Sequence, residues 1–140
     1  MASKNTHLAQ AGHNQKLANI LLKGEYYDWA CTSAFYSALH YVEAKFNDIP
    51  EIVHSDEAYK KKGQFMKDED IKMGVHLFRE ITLSGKYPLL RASYRQLREI
   101  SFQVRYLENH DKVACDFINI GIAKNLVKND LTKIKNGLGL

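Results

Sequence analysis

The chain has 140 residues, of which 45% are hydrophobic and 26% are charged, and these values are typical of an ordinary globular domain. This length predicts one domain over residues 1–140 with a single core. A net charge of +4 allows an anionic partner but does not require one, because acidic residues are interleaved with the lysines. No apolar run is long enough to span a bilayer and no segment resembles a secretory signal, so we expect a cytoplasmic protein with no membrane partner.

The two cysteines predict neither a disulfide nor a metal site. Cys31 and Cys115 both fall in apparent helices among apolar neighbours, where free buried thiols are the simplest interpretation. The sequence contains no CxxC motif and no cluster of cysteine with histidine, which structural zinc sites require. We therefore expect no metal and no cofactor.

The first half of the chain predicts two adjacent helices. Residues 1–6 are polar and expected to be frayed, and apolar residues then recur at three- and four-residue steps from His7 to Lys23. Gly24 is in the usual position after a helix end. The stretch from Tyr26 to Phe46 has no glycine or proline and is apolar around most of a helical circumference, which predicts a buried central helix. The short link makes the two helices antiparallel neighbours.

The second half predicts a variable loop over residues 47–67 and then three more helices. The acidic residues at 68–70 suit the first turn of a third helix, which Gly85 ends. Pro88 suits the start of a fourth helix that runs to about Asn109. The last helix has the most regular apolar spacing, through Val113, Phe117, Ile120, Val127, Leu131, Ile134 and Leu138, with Asp111 as its predicted cap. The predicted fold is all-α, an antiparallel bundle of four to five helices.

Most of the six histidines have simple interpretations as surface residues. His7 and His13 fall on the partly polar first helix, and His54 falls in the loop. His76 precedes Arg79 by three residues, a spacing that predicts a polar pair on a helix surface.

His40 is different, because it lies on the apolar central helix four residues after Tyr36. The two side chains therefore share one helix face. A buried imidazole requires a hydrogen-bond partner, which predicts a satisfied core histidine bonded to Tyr36 or to a neighbouring helix. The functional alternative is that His40 and Tyr36 line a cleft between helices.

Arg105 and His110 form the one pair that suggests chemistry. Five residues correspond to about 140° of rotation in an unbroken helix, so the two would not share a face. If the helix ends before His110, the imidazole can approach the guanidinium. An arginine offers a planar fork for phosphate, and a histidine exchanges protons near neutral pH. Together they can bind a phosphodiester and move a proton on a ribose 2′-hydroxyl without a metal.

Three stretches give the chain a resemblance to the HEPN superfamily (higher eukaryotes and prokaryotes nucleotide-binding), especially its small stand-alone prokaryotic members. The first is GEYYDWACTSAFYSALHYVEA, from Gly24 to Ala44, which is similar to the aromatic second helix of the family. The second is His76 with Arg79. The third is SFQVRY at residues 101–106, similar to a serine–arginine–tyrosine signature. Together they span roughly residues 20–110.

The resemblance implies a homodimeric helical bundle with ribonuclease chemistry. In the ribonuclease members, an arginine, four to six residues and a histidine form an active site that is doubled across the dimer cleft, and the matching positions here are Arg105 and His110. Candidate substrate-binding residues are Tyr36, His40 and Tyr106. The function implied is a metal-independent endoribonuclease of the toxin or defence type, acting on RNA or a nucleotide, with a nucleotidyltransferase-like protein as a candidate partner.

A non-catalytic function is the alternative. Active members often have a small polar residue after the arginine, where this chain has Tyr106, and some toxins have a tyrosine where this chain has Lys112. These departures favour a homodimeric module that binds a nucleotide or a protein without cleaving it, and so does the lack of a strong basic stripe in the sequence.

Overall fold

The computed structural model describes residues 2–52, 74–107 and 111–140, and the regular structure within these ranges is entirely helical. The predicted all-α class is therefore confirmed. The helices are α1 (Lys4–Lys23), α2 (Tyr27–Phe46), α3 (Val75–Lys86), α4 (Arg91–Tyr106), the short α5 (Ala114–Phe117) and a final run at residues 120–137 that we call α6. None of the described helices is long and apolar enough to cross a membrane. Most of the predicted loop, with His54 and the acidic residues at 68–70, lies outside the described residues.

Helix α1 begins earlier than the sequence predicts, because Ser3 caps it. The Ser3 side chain accepts a hydrogen bond from the backbone N–H of Thr6 at 3.2 Å, so residues 4–6 are helical rather than frayed. Gly24 ends the helix as predicted, with its N–H donating to the carbonyl of Ile20. The left-handed residue in the link is Glu25, with a φ of 68°.

Helix α2 is the centre of the fold, as its composition predicts. It buries residues around its circumference, among them Phe35, Val42 and Phe46. Helix α1 lies antiparallel to it, joined by polar contacts as well as by apolar packing. Ser37 Oγ donates to the carbonyl of Ala11 at 2.8 Å, and the Tyr41 hydroxyl donates to Gln15 Oε1 at 2.6 Å.

Helices α3 and α4 meet at a short 3-10 turn, Pro88–Leu90, that turns the chain between them. Helix α4 ends at Tyr106, three residues before the predicted end, because Leu107 adopts the left-handed conformation with a φ of 52°. The N–H of Leu107 still donates to the carbonyl of Gln103 at 2.8 Å, which closes the final turn.

The prediction of one continuous last helix is wrong. Ile118 and Asn119 are extended, which separates α5 from α6, and the Asn119 side chain rather than Asp111 caps α6 by accepting from the N–H of Ile122. Val113 and Ile120, predicted to face inward, are exposed. Helix α6 comprises Ile120–Lys124, a π-helical stretch at Asn125–Asp130 and Leu131–Gly137. Its buried side chains close the core against α2 and α4, and they are Ala123, Leu126, Val127, Leu131 and Ile134.

Candidate functional site

Arg105, in the last turn of α4, joins that helix to α2 through a polar contact. Its Nη1 donates a hydrogen bond to the Tyr36 hydroxyl at 2.7 Å, and its Nε donates to the carbonyl of Ser101 at 3.1 Å. As a whole residue, Arg105 is partly exposed. Two of its five N–H groups thus fix its orientation, and the other three have no partner among the described residues.

Aromatic rings surround the same guanidinium. Its central carbon lies 5.1 Å from the ring centroid of Tyr106, 5.4 Å from that of Tyr36 and 6.0 Å from that of Phe35. These distances fall within the range of cation–π attraction. Arg105 forms no ion pair with a carboxylate among the described residues. Its charge is therefore stabilised by the aromatic rings and is not neutralised by them. We call this group (Arg105, Tyr36, Phe35 and Tyr106) the Arg105 site.

His110, the predicted proton-transfer residue, lies outside the described residues. The end of α4 bears directly on its prediction, however. An unbroken helix would have turned His110 about 140° away from Arg105, and that restriction no longer applies once the helix ends at Tyr106.

His76, on α3, shares two ring neighbours with Arg105. Its imidazole centroid lies 5.3 Å from that of Phe35 and 6.3 Å from that of Tyr36. Its Nδ1 lies 3.2 Å from Arg79 Nη1. Because a guanidinium can only donate, Nδ1 must accept, and the proton of the neutral ring is then on Nε2. The imidazole of His76 therefore lies beside the Arg105 site.

The predicted contact between His76 and Arg79 is present. The prediction that this pair lies on the helix surface is wrong for Arg79. Arg79 is buried and pairs with Glu43 of α2, with 2.5 Å between Arg79 Nε and Glu43 Oε1. The Glu43 side chain is 1% exposed. Nearby, burial raises the pKa of the Tyr94 phenol to about 12, although Arg79 opposes the shift. This buried pair fixes α3, and with it His76, against α2.

His40 and His7 contact each other across α1 and α2, with 3.0 Å between their Nδ1 atoms. One of the two rings must therefore accept with a neutral Nδ1. The prediction that His40 bonds to a neighbouring helix is confirmed, whereas the prediction that His7 is a surface residue is wrong, because it is buried. Of the three predicted substrate-binding residues, Tyr36 and Tyr106 lie at the Arg105 site, and His40 is turned toward α1.

A cluster of arginines that the sequence analysis missed lies on α3 and α4. Glu80 of α3 is fully buried, and its carboxylate contacts three arginines of α4. We call Arg91, Arg95 and Arg98 the arginine triad. The expectation of no strong basic stripe is wrong for this helix, because the spacing of the three arginines places them on one face of α4. The carboxylate buried among them is not visible in the sequence.

Neither the cysteines nor the metal-binding residue types form a further site in the described part of the chain. Both thiols are free, and Cys31 is buried as predicted. Cys115 is exposed, contrary to prediction. The helix is interrupted at Ile118 and Asn119, and this interruption separates the short α5, which carries Cys115, from the buried side of α6. Within the described ranges, no three histidine, cysteine or acidic side chains converge as metal ligands would.

Comparisons of the chain with protein-family models, with curated proteins and with solved structures gave no match.

Proposed function

We propose that the chain is a HEPN-like, metal-independent endoribonuclease in which Arg105 binds the scissile phosphate and His110 transfers the proton. The observation that supports it most is the state of Arg105, whose guanidinium is oriented by Tyr36 and Ser101 and has no described carboxylate beside it. A structural arginine in a core is normally paired with an acidic group, as Arg79 is with Glu43. An oriented, partly exposed arginine without such a partner is suited to an anion.

The reaction follows from the chemistry of RNA. His110 takes the proton of the ribose 2′-hydroxyl, and the 2′-oxygen forms a bond to phosphorus as the bond from phosphorus to the 5′-oxygen breaks. The departing 5′-oxygen takes up a proton from the protonated His110, which acts as general acid–base, so the products are a 2′,3′-cyclic phosphate and a 5′-hydroxyl. The remaining N–H groups of Arg105 stabilise the negative charge that develops on the phosphoryl oxygens. Tyr106 is exposed and offers a face on which an unpaired base can stack.

The resemblance to the HEPN superfamily supports the biological part of this proposal. It favours a homodimer with the site doubled across the cleft, a cytoplasmic role in defence or as a toxin, and a nucleotidyltransferase-like partner protein. These features belong to the proposal together with the catalytic residues.

The test is cleavage of an unstructured RNA by the purified protein in the presence of a metal chelator. We expect products with 2′,3′-cyclic phosphate ends. His110→Ala should lower the rate by about 10²- to 10⁴-fold, and Arg105→Gln by about 10²- to 10³-fold. His13→Ala, which removes an exposed histidine of α1, is the matched control and should cleave like the parent. His76→Ala tests whether proton transfer uses the imidazole beside Tyr36 instead. Cleavage by His110→Ala at the parental rate contradicts the proposed role of His110.

One observation favours a second function, that of a non-catalytic binding module. The contact of Arg105 with Tyr36 also stabilises the packing of α4 on α2, so part of its bonding capacity is structural. In that case the protein should bind a nucleotide or RNA in an Arg105-dependent manner and leave the RNA intact. Binding without cleavage, lost in Arg105→Gln, is the result that favours this function.

A further inference from the structure

One face of α4, made of partly exposed and exposed residues, carries arginines along its whole length. Arg91, Arg95, Arg98, Phe102 and Arg105 recur at steps of four, three, four and three residues. At about 100° per residue, all five fall within roughly 80° of the helix circumference. The distance from Arg91 to Arg105 along the axis is about 21 Å at about 1.5 Å per residue. The arginine triad and the Arg105 site therefore lie on one continuous face.

The carboxylate of Glu80 fixes the arginine triad in position. Arg95 Nε donates to Glu80 Oε1 at 2.9 Å, Arg98 Nε donates to Glu80 Oε2 at 2.8 Å, and Arg91 Nε lies 3.4 Å from Oε1. All three contacts use the Nε edge of the guanidinium. The terminal nitrogens of Arg91 and Arg95 have no partner among the described residues. Terminal guanidinium nitrogens can donate bidentate hydrogen bonds to a phosphate.

The triad also carries more positive charge than Glu80 needs. One carboxylate neutralises one guanidinium, so three arginines leave an excess of two charges, which the exposed Glu99, 3.7 Å from Arg98 Nη2, reduces in part. The exposure of the side chains separates their roles. Arg98 is 21% exposed, whereas Arg91 and Arg95 are 43% and 45% exposed, so Arg98 is the arginine best placed to satisfy the buried carboxylate.

We propose that the arginine triad is a second phosphate-binding site, which holds the backbone of the same single-stranded RNA whose scissile phosphate occupies the Arg105 site. This inference rests on the proposed function for its ligand. The length of the face, about 21 Å, matches about six nucleotides at a stacked rise of about 3.4 Å. Both sites present arginine side chains, and both lie on the same face of α4.

The aromatic residues of this face favour RNA over an acidic peptide. Phe102 lies between the triad and Arg105 and is exposed, and its ring centroid is 4.9 Å from that of Tyr106. Exposed rings interleaved with cations are the arrangement on which unpaired bases stack while the phosphates contact arginine. An acidic peptide would use the cations but would gain little from the rings.

The experiment measures RNA binding separately from cleavage. The probe is a fluorescein-labelled 2′-O-methyl oligouridylate of about 12 nucleotides, a length within the usual range of single-strand sites, which cannot be cleaved through its 2′-oxygen. Its dissociation constant is measured by fluorescence anisotropy at several salt concentrations. The test variant is Arg91→Gln with Arg95→Gln, which keeps Arg98 on Glu80. The matched control is Lys16→Gln with Lys124→Gln, which removes two exposed charges from α1 and α6.

We expect the arginine double variant to bind about 5- to 20-fold more weakly at low salt. The slope of log K against log salt should become less steep by about 1.4, which is about 0.7 for each lost phosphate contact with a single strand. The lysine control should keep the parental affinity and slope, and Phe102→Ala should weaken binding with little change in slope. Circular dichroism confirms that each variant is folded.

The outcomes separate this inference from the proposed function. Parental affinity and slope in the arginine double variant overturn the second site, even if the parent protein cleaves RNA. Triad-dependent binding of polyglutamate without binding of the RNA probe also overturns it, in favour of an acidic protein partner. Triad-dependent RNA binding by a protein that cleaves no RNA supports the second site and refutes the proposed nuclease function alone.

Discussion

The buried ion pair between Glu43 and Arg79 allows the sharpest test of the fold around the candidate site. Arg79→Met replaces the arginine by an apolar side chain of similar length and leaves the Glu43 carboxylate, 1% exposed, without its cation. Removing one partner of a buried pair costs about 3–5 kcal/mol, because the remaining charge loses its counter-charge in a site shielded from water. A domain of this kind has a free energy of unfolding of about 5–15 kcal/mol, so this variant should lose a large share of it.

A double-mutant cycle distinguishes this mechanism from a simple loss of packing. Glu43→Leu combined with Arg79→Met removes both charges together, and such replacements are often neutral or stabilising by about 1–4 kcal/mol. We therefore expect the double variant to regain most of the stability lost by Arg79→Met. The assay is urea unfolding followed by far-UV circular dichroism, with equal m-values confirming that the same surface is exposed in each variant.

Two results would refute this reasoning. One is a cost below about 1 kcal/mol for Arg79→Met, which would mean that Glu43 is hydrated or otherwise neutralised in the folded chain. The other is a double variant as unstable as the sum of the two single variants, since the cycle would then show no coupling between the two side chains.

Three further predictions concern single side chains of the core and surface. The folded-state pKa of Tyr94 is raised from 10.0 to about 12, so the unfolded chain releases the phenolic proton first and stability should fall by about 2–3 kcal/mol between those pH values. Tyr94→Phe should flatten that part of the pH profile, and an unchanged slope would contradict the assignment. A thiol reagent should label the exposed Cys115 first and the buried Cys31, whose pKa burial raises to about 12, only on unfolding. Equal labelling rates in the folded protein would be inconsistent with this burial. Gly137→Ala would place a methyl group 2.5 Å from the side chain of Leu90, so we expect a loss of about 1–3 kcal/mol in thermal or urea unfolding, and no loss would show that the leucine can move aside.

The first half of the fold could be predicted because its signals are local. Gly24 ends α1, and the run from Tyr27 to Phe46 buries side chains around most of α2, as its lack of polar faces indicates. The start of α1 was missed because the capping contact of Ser3 is a single hydrogen bond. Its residue type was consistent with a cap, yet the polar residues after it resembled a frayed end.

The last helix shows where a periodic pattern misleads. Val113 and Ile120 fit the spacing of the buried seam, but Val113 lies before the extended residues Ile118 and Asn119 and is outside α6. Ile120 is the first residue of α6, and the π-helical stretch Asn125–Asp130 separates it from Leu131 and Ile134. Asparagine is a good capping residue, and this was the signal available for the break. Apolar spacing alone counts residues along a helix and does not detect the interruption.

The sequence predicts which residues are candidates for the site, but it does not predict which of them contact one another. Tyr36 and Arg105 were both candidate residues, but they are 69 residues apart in the chain and their hydrogen bond depends on how α4 packs on α2. Glu80 was not a candidate at all, because glutamate is almost always exposed and no sequence pattern distinguishes a buried one. Tertiary packing, rather than local propensity, decides both cases.

The two buried carboxylates differ in a way that bears on function. Glu43 contacts Arg79, which is itself buried, so its charge is balanced inside the core by a structural ion pair. Glu80 contacts three arginines, and two of them extend into solvent with their terminal nitrogens unused by the described residues. Like charges beside one another repel, so the second and third arginines add repulsion as well as hydrogen bonds to the buried carboxylate. An anion bound across Arg91 and Arg95 would relieve that repulsion, as the proposed second phosphate-binding site requires.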